Sequence, residues 1–286
     1  MNDSRKLYRV FTLAMLGLTI AALSAHTAVL CFAFDREPGY HANGVLSTLL
    51  YILIALGLLC SVAYLVFAKK ATKQQLIGFA PTPGSPSLTV YICSLLVAAS
   101  FITALVWELC FGSLADTPSL LRLIGAVFAV IYFALPKKKN FRLFGLGAHL
   151  YLVFTLVSEY FDWTVPMNSP IKLMNQAATI CVLLMMCDEL LALGGKARPL
   201  RSTVCAALSA FFGLTCGLPM LVAVLGKGVI ETTYLIHTVP PLALGIYASV
   251  RLLHPCEIEW IPTVKQSEQD SPSPENSDTI NDDEEN

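Results

Sequence analysis

Residues 154–189 read FTLVSEYFDWTVPMNSPIKLMNQAATICVLLMMCDE. Two apolar segments flank a short turn, and Glu159, Asp162, Lys172, Asn175 and Gln176 lie in the turn or at its borders. A water-soluble domain interrupts such apolar runs with charged residues far more often than these flanks do. The stretch therefore predicts a transmembrane hairpin whose polar elbow lies at one membrane face.

The rest of the chain has the same character. It is 286 residues long, 55% hydrophobic and only 14% charged, whereas soluble domains carry about 25% charged residues. Apolar runs long enough to cross a bilayer core of about 30 Å follow one another along the chain. We predict an all-α integral membrane protein with eight transmembrane helices, at residues 8–34, 44–68, 88–111, 118–135, 143–163, 170–193, 200–225 and 232–253.

The first of these runs follows a basic N-terminus, which is also how a cleaved secretory signal begins. The run stays apolar well past the weak cleavage pattern at Ala22 and Ser24, which favours a retained helix. With the N-terminus in the cytoplasm, fifteen of the nineteen basic residues fall on the cytoplasmic side. The positive-inside rule demands this asymmetry, so we predict that both termini are cytoplasmic.

The C-terminal tail differs from the bundle, which we assign to residues 1–254. From Cys256 onward the chain has ten acidic residues and one lysine, a net charge of −9, so the remainder carries +8. Residues 255–286 are rich in Ser, Pro, Asn, Asp and Glu, and such a segment cannot bury enough apolar surface to fold. We predict a disordered acidic cytoplasmic tail, whose charge also excludes nucleic acid as a partner.

Motifs for catalysis and metal binding are absent from the sequence. The nine cysteines are scattered without a CxxC pair, and most lie in apolar runs, as small core residues do. The alternative is a disulfide between Cys31 and Cys110, which both fall on the predicted outward side. No HExxH, GxSxG or P-loop motif occurs. We predict no metal site, no cofactor and no enzymatic activity, with an intramembrane enzyme as a minor alternative.

Candidate binding residues collect near the predicted outward face. Ionisable groups at membrane depth are costly, which makes them candidates for function. We expect an outward vestibule lined by Glu108, Glu159, Lys172, Gln176 and His237. A purely structural role is the alternative, in which Glu108 pairs with Arg122 and Glu159 pairs with Lys172 across outward turns.

Prolines in the last two predicted helices mark expected helix breaks. Pro219 interrupts the seventh run, and Pro240 with Pro241 interrupts the eighth, near His237. Each proline removes a backbone donor, which bends or opens a helix. Broken helices in transporters expose backbone groups to the substrate, although plain kinks are also common.

These features lead to two principal functional hypotheses. The first is a multi-pass protein of the bacterial plasma membrane that binds or transports a small solute or ion through the outward vestibule. The second is a non-catalytic membrane subunit, sensor or assembly factor whose partner binds helix faces or the acidic tail. Small residues at four-residue spacing support the second hypothesis, at Gly17 and Ala21 in the first helix and at Gly213 and Gly217 in the seventh.

Overall fold

The computed structural model of the chain describes residues 2–35, 40–41, 44–71, 76–78, 87–112, 116–135, 142–162, 169–194, 196, 198–227, 232–254 and 256–258. Over these residues the chain forms eight α-helices: α1 Asn2–Phe32, α2 Val45–Ala71, α3 Leu88–Phe111, α4 Thr117–Ala134, α5 Arg142–Phe161, α6 Pro170–Leu193, α7 Pro199–Lys227 and α8 Thr232–Leu253. Each of them is long and apolar enough to span a membrane, so the chain is a multi-pass membrane protein.

The predicted helix boundaries agree closely with the structure. The third, sixth and eighth helices begin and end where the sequence predicts, and most other ends differ by one to three residues. The largest difference is at α1, which begins at Asn2 rather than at residue 8. Apolar periodicity locates the span, but α1 extends through Arg5 and Lys6 because nothing in this polar turn breaks a helix.

Two short antiparallel ribbons join the ends of helices. Strand β1 (Phe34–Asp35) pairs with β2 (Tyr40–His41) between α1 and α2. Strand β3 (Leu76–Gly78), between α2 and α3, pairs with β4 (Cys256–Ile258), which follows α8. The second ribbon places the end of α2 and the end of α8 at the same face. We call this the terminal face, and the opposite one the distal face.

Strand β4 lies within the segment that the sequence predicts to be disordered. Residues 256–258 are ordered here because their backbone groups pair with β3, a long-range contact that composition does not report. The remainder of the predicted tail, residues 259–286, lies outside the described residues.

Helices α3 to α8 form a closed ring in the order α3–α4–α5–α6–α7–α8, with α8 packed against α3. Helix α1 packs against the outside of α7, and α2 packs against both α1 and α7. Accordingly α7 is the most buried span and α2 the least buried. Aromatic side chains fill the ring interior, among them Phe101, Phe133 and Tyr247.

Glycines let two helix pairs approach closely. A Cβ atom at Gly213 would lie 2.8 Å from the carbonyl oxygen of Pro241, and one at Gly217 would lie 2.5 Å from Cβ of Leu242. A Cβ atom at Gly125 of α4 would lie 2.6 Å from the backbone nitrogen of Tyr151 in α5. No larger residue fits at these positions without separating the helices. The packing face at Gly213 and Gly217 is therefore used within the fold, between α7 and α8.

Candidate functional site

Glu108 and Arg122 form a buried ion pair near the distal ends of α3 and α4. The Nε atom of Arg122 donates to Oε1 of Glu108 at 2.6 Å, and Nη2 donates to Oε2 at 3.3 Å. The guanidinium also donates to the hydroxyls of Ser119, at 3.1 Å, and Ser158. Pro118 lies in the first turn of α4, where its fixed φ suits the start of a helix, and Arg122 follows one turn later. This bidentate geometry holds α3, α4 and α5 together.

Lys172 and Glu159 do not form the direct pair that the sequence suggests. Lys172 is buried, and its Nζ atom donates to the carbonyl oxygens of Tyr160 at 3.2 Å and Asp162 at 2.8 Å. These carbonyls belong to the C-terminal end of α5, where a helix presents acceptors without intrahelical partners. Lys172 therefore caps α5, and it acts on Glu159 through space rather than by contact.

Glu159 has the least satisfied carboxylate among the described residues of the distal half. Its side chain is buried, and Oε2 has no hydrogen-bond partner. The charges that act on it are those of Lys172, Asp162 and Arg122. A buried carboxylate oxygen without a donor loses its hydration and receives no replacement, which is a costly arrangement.

Neutral polar atoms without partners are concentrated in the same half of the bundle. They include the hydroxyl of Thr215 and Nδ2 of Asn175, while the hydroxyls of Tyr151 and Thr155 have no partner other than each other. The charges of Glu108, Glu159 and Arg122 act on Tyr151. Tyr151 lies about two turns before Glu159 in α5, on the side of the middle of the bundle. Native proteins leave few buried polar atoms unpaired, and a group of them marks a place where water, an ion or a ligand supplies the missing bonds.

His237 belongs to the same group of residues. The charges of Arg122, Glu108 and Asp162 act on its ring, and its buried Nδ1 atom has no partner. Gln176 of α6 is half-buried. The closed ring thus brings Glu108, Glu159, Lys172 and His237 to one level near the distal face. We call this group, with Arg122, Asn175 and Gln176, the distal layer.

The predicted helix breaks are not present. Helix α7 continues through Pro219, and α8 continues through Pro240 and Pro241. A proline in a helix leaves the carbonyl four residues earlier without its backbone donor. At Pro219 the freed carbonyl is that of Thr215, four residues earlier, and it accepts a hydrogen bond from Nδ1 of His26 at 2.6 Å.

His26 also belongs to a small aromatic cluster at the distal face. A carbonyl oxygen only accepts, so Nδ1 of His26 carries the hydrogen and the buried Nε2 atom has no partner. The ring of His41 in β2 lies 5.8 Å away, centroid to centroid. Nδ1 of His41 is 3.3 Å from the hydroxyl of Tyr51. His41 lies outside the membrane spans, and burial, followed by the charge of His26, lowers its pKa to about 4.

A second polar group near the terminal face was missed by the sequence reasoning. Oε1 of Glu189, a fully buried residue of α6, accepts hydrogen bonds from the hydroxyls of Tyr132 at 3.2 Å and Tyr247 at 3.1 Å. Asp188 accepts two bonds from Arg201, with Nε at 2.7 Å. We call these five residues the terminal layer. Tyrosines inside apolar runs give no sign in the sequence of their hydroxyl partners.

The described residues hold no group of three or more histidine, cysteine or acidic side chains placed to bind one metal ion. Cys31 and Cys110 are not joined to each other by a disulfide bond, so the disulfide alternative is not formed. Cys93, Cys205 and Cys216 are buried, as small core residues are.

Comparison of the chain with protein-family models, with curated proteins and with solved structures gives no match. Any assignment of function therefore depends on the site itself.

Proposed function

We propose that this protein binds a proton or a small cation in the distal layer and conducts it across the membrane, with Glu159 as the binding carboxylate. The observation that supports this most directly is the buried Oε2 atom of Glu159, which has no partner although two cations lie nearby. Arg122 is held by Glu108, and Lys172 is held by two backbone carbonyls. Glu159 is the carboxylate left for a ligand.

The energetics favour this assignment over a structural role. An isolated buried carboxylate costs several kcal/mol, whereas the same group is stabilised when it takes up a proton or a cation. Proteins retain such groups in membranes where ions or protons move. Glu159 contributes charge, and the hydroxyl oxygen atoms of Thr155 and Tyr151, on the same helix, provide further ligands toward the middle of the bundle.

The other members of the distal layer have supporting roles in this proposal. The Glu108–Arg122 pair fixes α3 against α4, and the charge of Arg122, which acts on Glu159, keeps the site from binding a cation too tightly. Lys172 modulates Glu159 through space. His237, with an unpaired Nδ1 atom near both charges of the ion pair, relays protons. Gln176, half-buried on α6, lines the entrance from the distal face.

The proposed orientation places the terminal face in the cytoplasm and the distal face outside, in a bacterial plasma membrane. It is supported by the fifteen basic residues on the terminal side against four on the distal side. Single-cysteine variants with all native cysteines replaced test it: a cysteine at Asp116 should react with an impermeant maleimide in whole cells, and one at Lys196 only after lysis.

Ion flux in proteoliposomes tests the function. We would measure proton entry with internal pyranine under a valinomycin-imposed potassium potential, and sodium and rubidium entry with tracers. The proposal expects flux above that of protein-free liposomes for at least one of these ions. Glu159→Gln should reduce it to the background, because an amide neither ionises nor carries charge.

Asp116→Asn is the matched control, since Asp116 is also a carboxylate at the distal face but is exposed. It should retain the flux. Equal flux in the wild type and in Glu159→Gln, or no flux of any of the three ions, would contradict the proposal.

A second candidate, a non-catalytic membrane subunit, is favoured by one observation on α1. A Cβ atom built at Gly17 would meet no other heavy atom within 4 Å, so this small-residue face packs against nothing in the described part of the chain. Under this hypothesis a partner helix occupies the face. Gly17→Leu should then release a co-purifying partner, whereas it should leave ion flux unchanged if the transport proposal holds.

A further inference from the structure

His149 and Cys187 form a hydrogen-bonded pair between α5 and α6, on the terminal side of the bundle. Nδ1 of His149 lies 3.1 Å from the carbonyl oxygen of Gly145, and Nε2 lies 3.1 Å from Sγ of Cys187. Since the carbonyl only accepts, Nδ1 carries the hydrogen, and Nε2 of the neutral ring accepts from the thiol. A nucleophile, a base and a group that orients the base are therefore aligned, which is the arrangement of an activated thiol.

The setting of Cys187 differs from that of the buried cysteines. Cys187 is exposed on the outside of the bundle, where the surroundings are lipid. It lies six residues before the end of α6 at Leu193, about 9 Å along the helix axis. The charges of Asp188 and Arg201 act on it, and the side chain of Arg201 is 46% exposed. An exposed arginine at this level reaches the headgroup region, so the thiol lies close to the membrane surface.

We propose that Cys187 is a site of S-acylation, with His149 as its general base and a long-chain acyl thioester as the acyl donor. This inference is independent of the ion-binding proposal, because it uses no residue of the distal layer. Juxtamembrane cysteines are the ordinary targets of fatty acylation. Here the thiol is exposed and has a base within hydrogen-bond distance. Arg201 is paired with Asp188, so activation of the thiol depends on His149 rather than on a free cation.

The reaction balances without a redox step. Sγ of Cys187 attacks the carbonyl carbon of the donor thioester while Nε2 of His149 takes the thiol proton. The tetrahedral intermediate collapses, the bond between the carbonyl carbon and the donor sulfur breaks, and the donor leaves as a thiol after receiving the proton from His149. The products are a thioester on Cys187 and the free donor thiol.

The surface around Cys187 suits an acyl chain. Leu184 and Ile180, one and two turns along α6 toward the distal face, are exposed, as is Leu146 one turn from His149. An attached chain would lie against these side chains within the hydrocarbon and add to the membrane contact of α5 and α6.

The experiment uses the full-length protein in nanodiscs, incubated with palmitoyl-CoA. Peptide mass spectrometry measures the hydroxylamine-sensitive adduct and its initial rate. Acylation should map to Cys187 and disappear in Cys187→Ser. Cys110→Ser is the matched control, since Cys110 is also exposed but lies near the distal face without a histidine neighbour among the described contacts. It should leave the rate unchanged.

His149→Gln distinguishes acylation that His149 assists as a base from acylation that depends only on the exposure of the Cys187 thiol. It should lower the initial rate at pH 7 by about 100-fold, the lower end of what general-base catalysis contributes. Equal acylation of Cys110 and Cys187, or an unchanged rate in His149→Gln, would overturn the proposal.

The pH profile of the wild type gives an answer even where His149→Gln fails to fold. An unassisted thiol, with a pKa of about 8.5 in water, reacts tenfold faster for each pH unit up to that value. A rate that levels off near neutral pH supports assistance by His149, and a continued tenfold rise contradicts it.

Discussion

The terminal and distal layers contain similar residues but satisfy them differently. In the terminal layer Oε1 of Glu189 accepts two tyrosine hydrogen bonds and Oδ1 of Asp188 accepts two from Arg201, although Oδ2 of Asp188 is buried without a partner. In the distal layer both oxygens of Glu108 accept from Arg122, whereas Glu159 accepts no hydrogen bond from any described residue and its buried Oε2 has no partner. Burial, or one oxygen without a partner, therefore does not distinguish a structural acid from a candidate ligand; the absence of any donor to the carboxylate does.

This difference has a physical reason. A buried carboxylate with donors on neighbouring helices joins those helices, and its removal leaves the donors unpaired. A buried carboxylate without donors joins nothing, and its charge is costly until a ligand arrives. The two layers are thus expected to respond in opposite ways to the same conservative substitutions.

The largest effect is expected from Glu108→Gln. The change leaves the buried guanidinium of Arg122 without its counter-charge, which costs about 3–5 kcal/mol. Reversible unfolding of the wild type and the variant in mixed detergent measures this difference in the free energy of unfolding. The double variant Glu108→Gln/Arg122→Met should lose much less stability than the single variant, because no buried charge is left without a counter-charge. A loss in the single variant below about 1 kcal/mol would show that water reaches the pair.

Tyr132→Phe and Tyr247→Phe test the terminal layer. Each removes a hydrogen bond to Glu189 and should lower the free energy of unfolding by about 1–3 kcal/mol. Because both hydroxyls bind the same oxygen, the double variant should depart from additivity. Tyr160→Phe is the control, since Tyr160 is exposed at the end of α5 and should lose almost nothing. Strictly additive losses would mean that the two hydroxyls act independently.

The bond between His26 and Thr215 explains how α7 tolerates a proline. His26→Leu should cost about 1–3 kcal/mol, since the carbonyl of Thr215 is then buried without a donor. Pro219→Ala restores a backbone N–H at position 219, which can donate to the carbonyl of Thr215. In a protein that carries Pro219→Ala, His26→Leu should therefore lower the free energy of unfolding much less. A double-mutant cycle measures the difference, and a cycle without coupling would contradict this explanation.

His41 makes a smaller, pH-dependent contribution. Its pKa is about 4 in the folded protein, against an ordinary value of about 6.5 in the unfolded chain. The unfolded state therefore binds more protons between pH 6.5 and pH 4, and stability falls as the pH falls through this range. In His41→Gln the free energy of unfolding should decrease less than in the wild type as the pH falls through this range. His254→Gln, at an exposed histidine, should retain the wild-type slope.

Glu159→Gln is expected to have the smallest effect on stability. It removes a charge that has no partner at Oε2, so the free energy of unfolding should stay within about 0.5 kcal/mol or rise. The same measurement as for Glu108→Gln applies, under the same conditions. A loss as large as that of Glu108→Gln would remove the distinction between the two carboxylates and favour a structural role for both.

Much of the fold could be predicted from the sequence because lipid imposes simple requirements. A span must be apolar, about twenty residues long and helical. Eight such runs are visible in the sequence, and three of the helices match to the residue. The pairing of β3 with β4 could not be predicted, because it depends on a contact between residues about 180 positions apart.

The candidate site could be predicted only in part. Glu108 and Arg122 lie on either side of a short turn with a proline, and this spacing suffices to suggest their pairing. Glu159 and Lys172 have almost the same spacing, yet Lys172 binds backbone carbonyls instead. Proline was interpreted as a helix break, because the sequence does not reveal that His26 of α1 replaces the lost bond.

The sequence by itself determined the number of spans, their approximate ends and the residue types near each membrane face, because these follow from hydrophobicity and charge. Only the tertiary structure decided which polar groups meet. The closed ring leaves Glu159 near Lys172 and Arg122 without a hydrogen-bond donor, gives Glu189 two tyrosines, and places His149 beside Cys187. Such contacts depend on helix rotation and neighbour order, and these are set by packing over the whole bundle rather than by any local pattern.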